Sequence, residues 1–455
     1  MVHSYYLNGY YIALDVNSGA VHVLDKTAFD VLNCISEQDM GEQTPAELYE
    51  KLPQYSKNEI DEAFAEFYAL YKDEQLFSKD DYIDIQKLAL GKSPIKALCL
   101  NIAHDCNLRC EYCFASTGEY GHNRELMPLE VAKAAIDFLI ANSASRHNLE
   151  VDFFGGEPLM NLDVVKATVA YARSIEKEHN KNFRFTLTTH GVLLNDDTMD
   201  FLNKEMSNVV LSIDGRKEVN DRVRVRRDGT GIYDNIVPKF QKLAESRGQD
   251  MYYVRGTYTK YNLDFAEDVL HLASLGFKQT SVEPVVATPD MPYAITEEDL
   301  PKIYEQYEKL AKEMLRADKE GRHFNFFHFN IDLEQGPCAI KRLRGCGSGN
   351  EYIAITPNGD IYPCHQFVGN EDFIMGNVKT GEFNTEMKAK FASANVYTRE
   401  GCRDCFAKFY CSGGCSANNI NFNGDIMKPY KIGCETEKKR VECAIMMKAA
   451  KMLEQ

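Results

Sequence analysis

Fourteen cysteines stand in this chain of 455 residues, and eleven of them fall into two spaced groups. The first is Cys106-Asn-Leu-Arg-Cys110-Glu-Tyr-Cys113, a C-x3-C-x2-C run whose three thiolates can converge on one metal centre. Structural zinc takes four closed ligands, commonly in C-x2–4-C pairs, so three leave a position open. A cubane iron–sulfur cluster held by three protein ligands keeps one iron free for an outside ligand. The second group reads Cys338-x7-Cys346-x17-Cys364, then Cys402-x2-Cys405-x5-Cys411-x3-Cys415-x18-Cys434. One C-x2-C suits zinc or a redox pair; so many cysteines at such spacings argue for metal chemistry. Cys34, Cys99 and Cys443 remain, and read as inert core thiols.

A strand–helix alternation from residue 95 must position the first group. Candidate strands are Lys96–Ile102, Glu150–Phe154, Phe183–Thr188, Val209–Ile213, Tyr252–Tyr258 and Thr280–Val285. Helical patterns separate them at Pro128–Asn142, Leu162–Asn180, Asp196–Glu205, Tyr233–Arg247 and Phe265–Leu275. Six strands with long crossovers imply parallel βα units, in an open sheet or a curved partial barrel. Such folds bind ligands at the carboxyl ends of their strands. The polar motifs lie there: the first cysteines after strand one, Gly155-Gly156-Glu157-Pro158 after strand two, Thr189-His190-Gly191 after strand three and Ser212-Ile213-Asp214-Gly215 at the end of strand four. A long helix, Thr296–Gly321, leads through the aromatic stretch 323–329 into the cysteine-dense tail. Those aromatics read as core.

The first 90 residues differ. Strands Tyr5–Leu7, Tyr10–Asp15 and Ala20–Leu24 precede helices over Lys26–Ile35, Thr44–Leu52 and Asn58–Tyr71, a small α+β module. Gly91–Pro94 reads as the linker out of it. This stretch holds 17 acidic and 6 basic residues, so −11 of the chain's net −16 sits in one fifth of its length. The acidic balance argues against a nucleic-acid binder. With 44% hydrophobic and 26% charged residues the composition is that of a globular protein. No apolar run is long enough to span a bilayer and the start has no signal-like n-region, so the expectation is a cytoplasmic protein.

The first cysteine run, with Phe114 directly after it, resembles the motif of the radical S-adenosylmethionine (SAM) superfamily. The resemblance implies that Cys106, Cys110 and Cys113 hold a [4Fe-4S] cluster whose open iron chelates the methionine amine and carboxylate of SAM. Reduction then releases a 5′-deoxyadenosyl radical that abstracts a hydrogen atom. It further implies that Gly155, Gly156 and Glu157 serve the methionine end, that Ser212 and Asp214 belong to a ribose-contacting segment, and that Arg224 pairs with the methionine carboxylate. His190 stands where the family often has Asn.

The tail resembles the SPASM domain, an auxiliary-cluster module of radical enzymes that modify peptides and proteins. By position, Cys402, Cys405, Cys411 and Cys434 would hold a distal auxiliary cluster, and Cys346, Cys364 and Cys415 a nearer one, with Cys338 upstream as the candidate fourth ligand. That makes three [4Fe-4S] clusters. Without Cys338, one iron stays free for a substrate thiolate. The amino-terminal module resembles, in topology, the winged-helix-like RiPP recognition element, which binds leader peptides by β-augmentation; its acidity then implies a basic leader.

The expected architecture is therefore α/β. Residues 1–90 form a leader-recognition module, 91–295 a partial (β/α)6 radical SAM barrel, 296–335 a bridging helix and connector, and 336–455 a SPASM domain. The whole resembles the peptide maturases of sactipeptide or ranthipeptide type, the SCIFF maturases among them. They join cysteine sulfur to carbon in a ribosomal precursor peptide and draw electrons from flavodoxin or ferredoxin. The competing readings are formylglycine formation as in anaerobic sulfatase maturases, epimerisation, carbon–carbon crosslinking, and a zinc-stapled peptide-binding protein without catalysis.

Overall fold

The computed structural model describes residues 1–84, 93–121, 123–333 and 342–454. Cys338 and residues 91–92 of the linker lie outside them. Three antiparallel strands open the chain, β1 (Val2–Leu7), β2 (Tyr10–Asp15) and β3 (Val21–Leu24), in the order β1-β2-β3. The β1–β2 turn is Asn8-Gly9, both at positive φ (50° and 97°), as a tight hairpin requires. Helices Lys26–Leu32, Glu47–Lys51 and Lys57–Lys72 follow. Asp25 caps the first, and Ser56 with Glu59 forms a capping box on the third. Ile60, Phe64 and Phe67 of the third helix pack with Val31, Leu32 and Leu48 in a core of the module's own.

The opposite face of that sheet joins the main core, where β1–β3 meet the carboxy-terminal helix Lys431–Leu453. His3 stacks on Phe406 with ring centroids 3.6 Å apart and reaches Glu442 at 3.0 Å. The Tyr5 hydroxyl donates to the Glu442 carbonyl at 2.9 Å. Lys408, 2% exposed, pairs with Asp80 at 2.7 Å. The amino-terminal module is thereby fastened to the cysteine-rich tail.

The central sheet contains β4 (Ala97–His104), β6 (Glu125–Leu126), β7 (Asn148–Gly155), β8 (Asn182–Thr189), β9 (Met206–Ser212), β11 (Tyr252–Tyr258), β12 (Gln279–Pro284) and β13 (Asn325–Phe326). Two three-residue strands, β5 (Leu108–Cys110) and β10 (Arg224–Arg226), stand apart as an antiparallel ribbon. The tail adds β14 (Tyr352–Ile355), β15 (Asp360–Tyr362), β16 (Gly376–Asn377) and β17 (Glu382–Phe383). The order is β13-β12-β11-β9-β8-β7-β4-β14-β15-β16-β17. Every pair from β13 to β14 is parallel, and β6 lies antiparallel against β4. All eight residues of β4 are buried, as a central parallel strand covered on both faces must be.

The six expected strands are present, with crossover helices Leu129–Asn142, Leu162–Ile175, Asp196–Glu205, Tyr233–Ser246 and Phe265–Ser274. The second stops five residues short of the expected Asn180. The bridging helix is Leu300–Lys319, entered through a short 3-10 turn capped by Thr296 and Asp299. Two joins went unforeseen. The connector's Asn325–Phe326 becomes a seventh parallel strand, and β14 of the tail pairs with the other side of β4. Both are short stretches whose pairing is set by distant sequence. Of the connector aromatics, Phe324, Phe326 and Phe329 are buried and Phe327 faces outward.

Candidate radical SAM site

The first cysteine group does not sit on a free loop. After His104 the chain turns into β5, which pairs with β10 so that Cys110 lies opposite Arg224. Behind it, the carboxyl end of β7 presses on the turn: Gly156 N–H donates to the Ala103 carbonyl at 2.7 Å and Glu157 N–H to the Asp105 carbonyl at 2.9 Å. A Cβ on Gly155 would lie 2.4 Å from the Ala103 oxygen, and one on Gly156 2.1 Å from the Asp105 oxygen. Close approach is thus what these glycines supply, and the approaching group is the chain's own backbone under the cysteines. Gly155, at φ 123°, also adopts a conformation that other residues avoid.

Cys106, Cys110 and Cys113 line one cavity of about 260 Å³ at the carboxyl ends of the parallel strands. Phe114, Gly155, Gly156, Glu157, Ser212 and Arg224 line it too. Asp214 does not; it stands one layer behind, wholly buried, and acts through its neighbours. Arg224 donates to it through Nε at 2.9 Å and Nη2 at 3.0 Å, the Tyr112 hydroxyl at 2.8 Å, and Thr257 N–H at 2.9 Å. Three donors converge on one carboxylate and fix the Arg224 guanidinium at the cavity wall. Glu157 is 1% exposed and accepts from Thr189 Oγ1 at 2.8 Å, Leu159 N–H at 3.0 Å and His190 N–H at 3.0 Å. His190 Nε2 lies 3.1 Å from Glu157 and 2.7 Å from the side-chain oxygen of Asn107, inside the cysteine run. His190 therefore ties the end of β8 to the cysteine turn. Burial favours its neutral ring more strongly than Glu157 opposes it.

Burial pushes the Cys106 thiol up to about 12, with Glu157 adding to the effect, and the Cys110 thiol up to about 11 against the pull of Arg224. Loading a metal here must displace protons. The donor set is three thiols with no carboxylate among them, soft ligands suited to iron–sulfur chemistry. Among the described residues, no three metal-binding side chains close tightly enough to hold a single ion.

Two features of the far wall carried no motif in the sequence. Arg255 and Glu283, on neighbouring β11 and β12, pair at 2.8 Å. Burial alone would raise the Glu283 carboxyl, but Arg255, then His328 and Arg440, outweigh it and hold it at about 2. His365 and Gln366, which directly follow Cys364, complete the wall from the tail. Burial drives His365 down to about 4, so its ring is neutral. Phe114 and Phe154 lie between, their rings 6.4 Å apart and each within 6 Å of His365.

In the tail, Cys402, Cys405, Cys411 and Cys434 line a second cavity of about 570 Å³, with Lys408 and Lys438 at its edge. Cys346, Cys364 and Cys415 form another neighbourhood: burial raises the Cys364 thiol to about 12, and Cys415 and Cys346 add to it. Cys99 packs in the same small core as Cys364.

Two family models match, one for the radical SAM superfamily over residues 100–272 and one for the SPASM iron–sulfur cluster-binding domain over residues 346–406. The chain carries a radical SAM domain followed by a SPASM domain. The first implies SAM and a [4Fe-4S] cluster, the second auxiliary iron–sulfur clusters, in a family of enzymes. A cysteine-type anaerobic sulfatase-maturating enzyme of Clostridium novyi is 24% identical over 69% of this chain and 86% of its own. The radical SAM cyclopropyl synthase TigE of Paramaledivibacter caminithermalis is 21% identical over 92% and 89%. In structure, the sulfatase maturase anSMEcpe with bound AdoMet superposes with TM-score 0.65 at 19% identity, over 78% of this chain and 99% of that one. Streptococcus suis SuiB bound to precursor peptide SuiA gives TM-score 0.52 at 16% identity, over 95% and 98%. Among the described residues no helix is long and apolar enough to cross a membrane.

Proposed function

We propose that this radical SAM SPASM protein is a leader-guided maturase that joins cysteine sulfur to carbon within a ribosomally made, cysteine-rich precursor peptide. The observation that carries this reading is the two-sided cavity: the radical-site thiols form one wall, and His365 and Gln366, next to Cys364, form the other. A peptide segment in that space lies beside both cysteine groups.

With SAM and the reduced cluster bound, the site supplies a 5′-deoxyadenosyl radical that removes a hydrogen atom. Cys106, Cys110 and Cys113 would hold the cluster. Arg224, fixed by Asp214, offers a cation to the SAM carboxylate, while Ser212 and the Glu157 region receive the remainder of the cofactor. Phe114, Phe154, Val285 and Val286 give the reacting side an apolar lining. Arg255 and Glu283 offer a donor and an acceptor together, which suits the main chain of a peptide. In this reading the tail cysteines, with Cys338 as the nearer group's fourth ligand, hold two further [4Fe-4S] clusters, and flavodoxin or ferredoxin provides the electron.

Residues 1–90 serve as the leader-recognition element. Among the described residues β3 pairs with β2 alone, so its outer edge can take a leader strand. TigE and SuiB match over nearly the whole chain, a span that must include much of this module, whereas the Clostridium novyi sulfatase maturase covers 69% of it. A reading as a sulfatase maturase leaves the module unused. Carbon–carbon bond formation is the second reading, favoured by the cyclopropyl synthase among the relatives.

The test is anaerobic turnover of reconstituted enzyme with cysteine-containing precursor peptides, followed by mass spectrometry and thiol alkylation. A loss of about two hydrogens per crosslink together with one alkylatable thiol is the expected result. The same mass loss with the thiol intact means carbon–carbon coupling, and an unchanged mass means epimerisation.

A further inference from the structure

Arg399 lies where the two tail cysteine groups meet. It is 3% exposed, and its backbone carbonyl accepts from Cys402 N–H at 3.3 Å. Its guanidinium donates to the carbonyls of Gly413 and Gly414, the latter at 3.1 Å, and to Ser416 Oγ at 2.7 Å. Those three residues flank Cys415 and follow Cys411, so the anchor straddles both groups. A Cβ on Gly413 would stand 2.8 Å from Arg399 Nη1, so the glycine leaves the guanidinium its place. Nε is buried without a hydrogen-bond partner.

Among the described residues no carboxylate pairs with this side chain. A buried arginine held only by neutral oxygens costs several kcal/mol unless a counter-charge lies near. The nearest groups that would carry a compensating negative charge once deprotonated are Cys402 and Cys411 of one cysteine group and Cys346 and Cys415 of the other. Thiolate-ligated iron–sulfur clusters carry net negative charge that grows by one on reduction, and nearby charge and hydrogen bonds set their potentials.

We infer that Arg399 is a fixed cation shared by the two auxiliary clusters, stabilising the reduced form of both. It is a positioning and electrostatic residue, outside the cavity lined by Cys106, Cys110 and Cys113. The inference rests on the tail loading iron–sulfur clusters at both cysteine groups, which the iron and sulfide content of the unsubstituted tail checks separately.

The experiment is a redox titration followed by electron paramagnetic resonance, in the full chain carrying Cys106→Ala, Cys110→Ala and Cys113→Ala so that only tail clusters respond. Arg399→Gln is compared with Arg399→Lys. The expected result is unchanged iron and sulfide in both variants, with Arg399→Gln lowering the reduced-to-oxidised ratio at a given potential about tenfold. For one electron that is about 59 mV. Arg399→Lys should restore most of the difference. Iron lost from Arg399→Gln yet retained at native potential in Arg399→Lys also supports the charge. Unmoved potentials, equal shifts in both variants, or equal iron loss in both would overturn it, since packing alone would then explain the residue. A tail that loads no iron before substitution removes the foundation itself.

Discussion

The three thiols at the mouth of the parallel sheet and the four around the tail cavity offer iron the same ligand in unlike surroundings. Around the first, the backbone is already complete: ribbon β5·β10, the glycine contact beneath it and the carboxylates of Glu157 and Asp214 hold every turn. Around the second, regular structure is sparse, with helices of four and eight residues between Cys405 and the long carboxy-terminal helix. Its four cysteines reach from a loop to that helix. The contrast separates two uses of a cluster. On the proposed reading, one site is built by the fold and then filled, and the other is built partly by what fills it.

Removing ligands should expose this difference most strongly. Substituting Cys106, Cys110 and Cys113 by alanine should remove about four irons of about twelve, abolish 5′-deoxyadenosine formation and leave the melting transition nearly in place. The same change at Cys402, Cys405, Cys411 and Cys434 should instead open residues 394–430 to proteolysis. Iron analysis and limited proteolysis of both variants measure it. Equal protease sensitivity in the two would collapse the distinction.

The second expected effect concerns the buried pair behind the first site. Arg224→Met leaves the Asp214 carboxylate buried with its hydroxyl and amide donors but no cation, at a cost of about 3–5 kcal/mol. Arg224→Met combined with Asp214→Asn should recover a large part of that loss, because the charge is removed along with its partner. Thermal unfolding without SAM reads both. If the double variant is as unstable as the sum of its parts, the two residues serve the fold independently of each other.

Much of this architecture was open to reading from the sequence because parallel strands are short apolar runs and their ligand motifs follow directly. Ala97–His104, Asn148–Gly155 and Met206–Ser212 all end in the polar segments noted at the outset. The ribbon was not legible. Leu108–Cys110 and Arg224–Arg226 are three residues each, too short for any period, and lie far apart in the chain. Without the ribbon, Arg224 is a cation of unstated position and Asp214 a candidate cofactor contact; with it, Asp214 becomes the group that fixes Arg224. His365 was invisible for a related reason. Its place in the cavity depends on β14 joining β4, a pairing written in neither strand alone.

The barrel interior gives the third prediction, a pH effect. Burial, with Glu150 adding, raises the Asp152 carboxyl to about 7. The native state therefore keeps a proton that the unfolded chain gives up near pH 4. The native state binds more protons between those values, so stability falls with rising pH, by about 1.4 kcal/mol for each unit crossed. Asp152→Asn should gain stability at pH 8 and little at pH 4. Denaturant unfolding at the two pH values decides it; a gain of the same size at both would mean that Asp152 is already ionised at pH 4.

The smallest effect should come from His190, the one residue that departs from the resembled Thr-Asn-Gly pattern. Its ring links Asn107, within the cysteine turn, to Glu157. His190→Asn keeps the backbone N–H that Glu157 accepts, as well as the Thr189 hydroxyl, so the carboxylate remains satisfied. What is lost is the ring's Nε2 contact to Asn107 and Glu157 and the Val192 N–H that Nδ1 accepts, of which the link to the cysteine turn is worth about 1 kcal/mol. SAM binding should weaken about fivefold, with the iron content and the rate at saturating SAM unchanged. Equilibrium binding and single-turnover rates separate the two quantities. A rate falling a hundredfold with binding intact would mean that His190 meets the reacting atoms, and the first site would then hold a proton-transfer group as well as a frame.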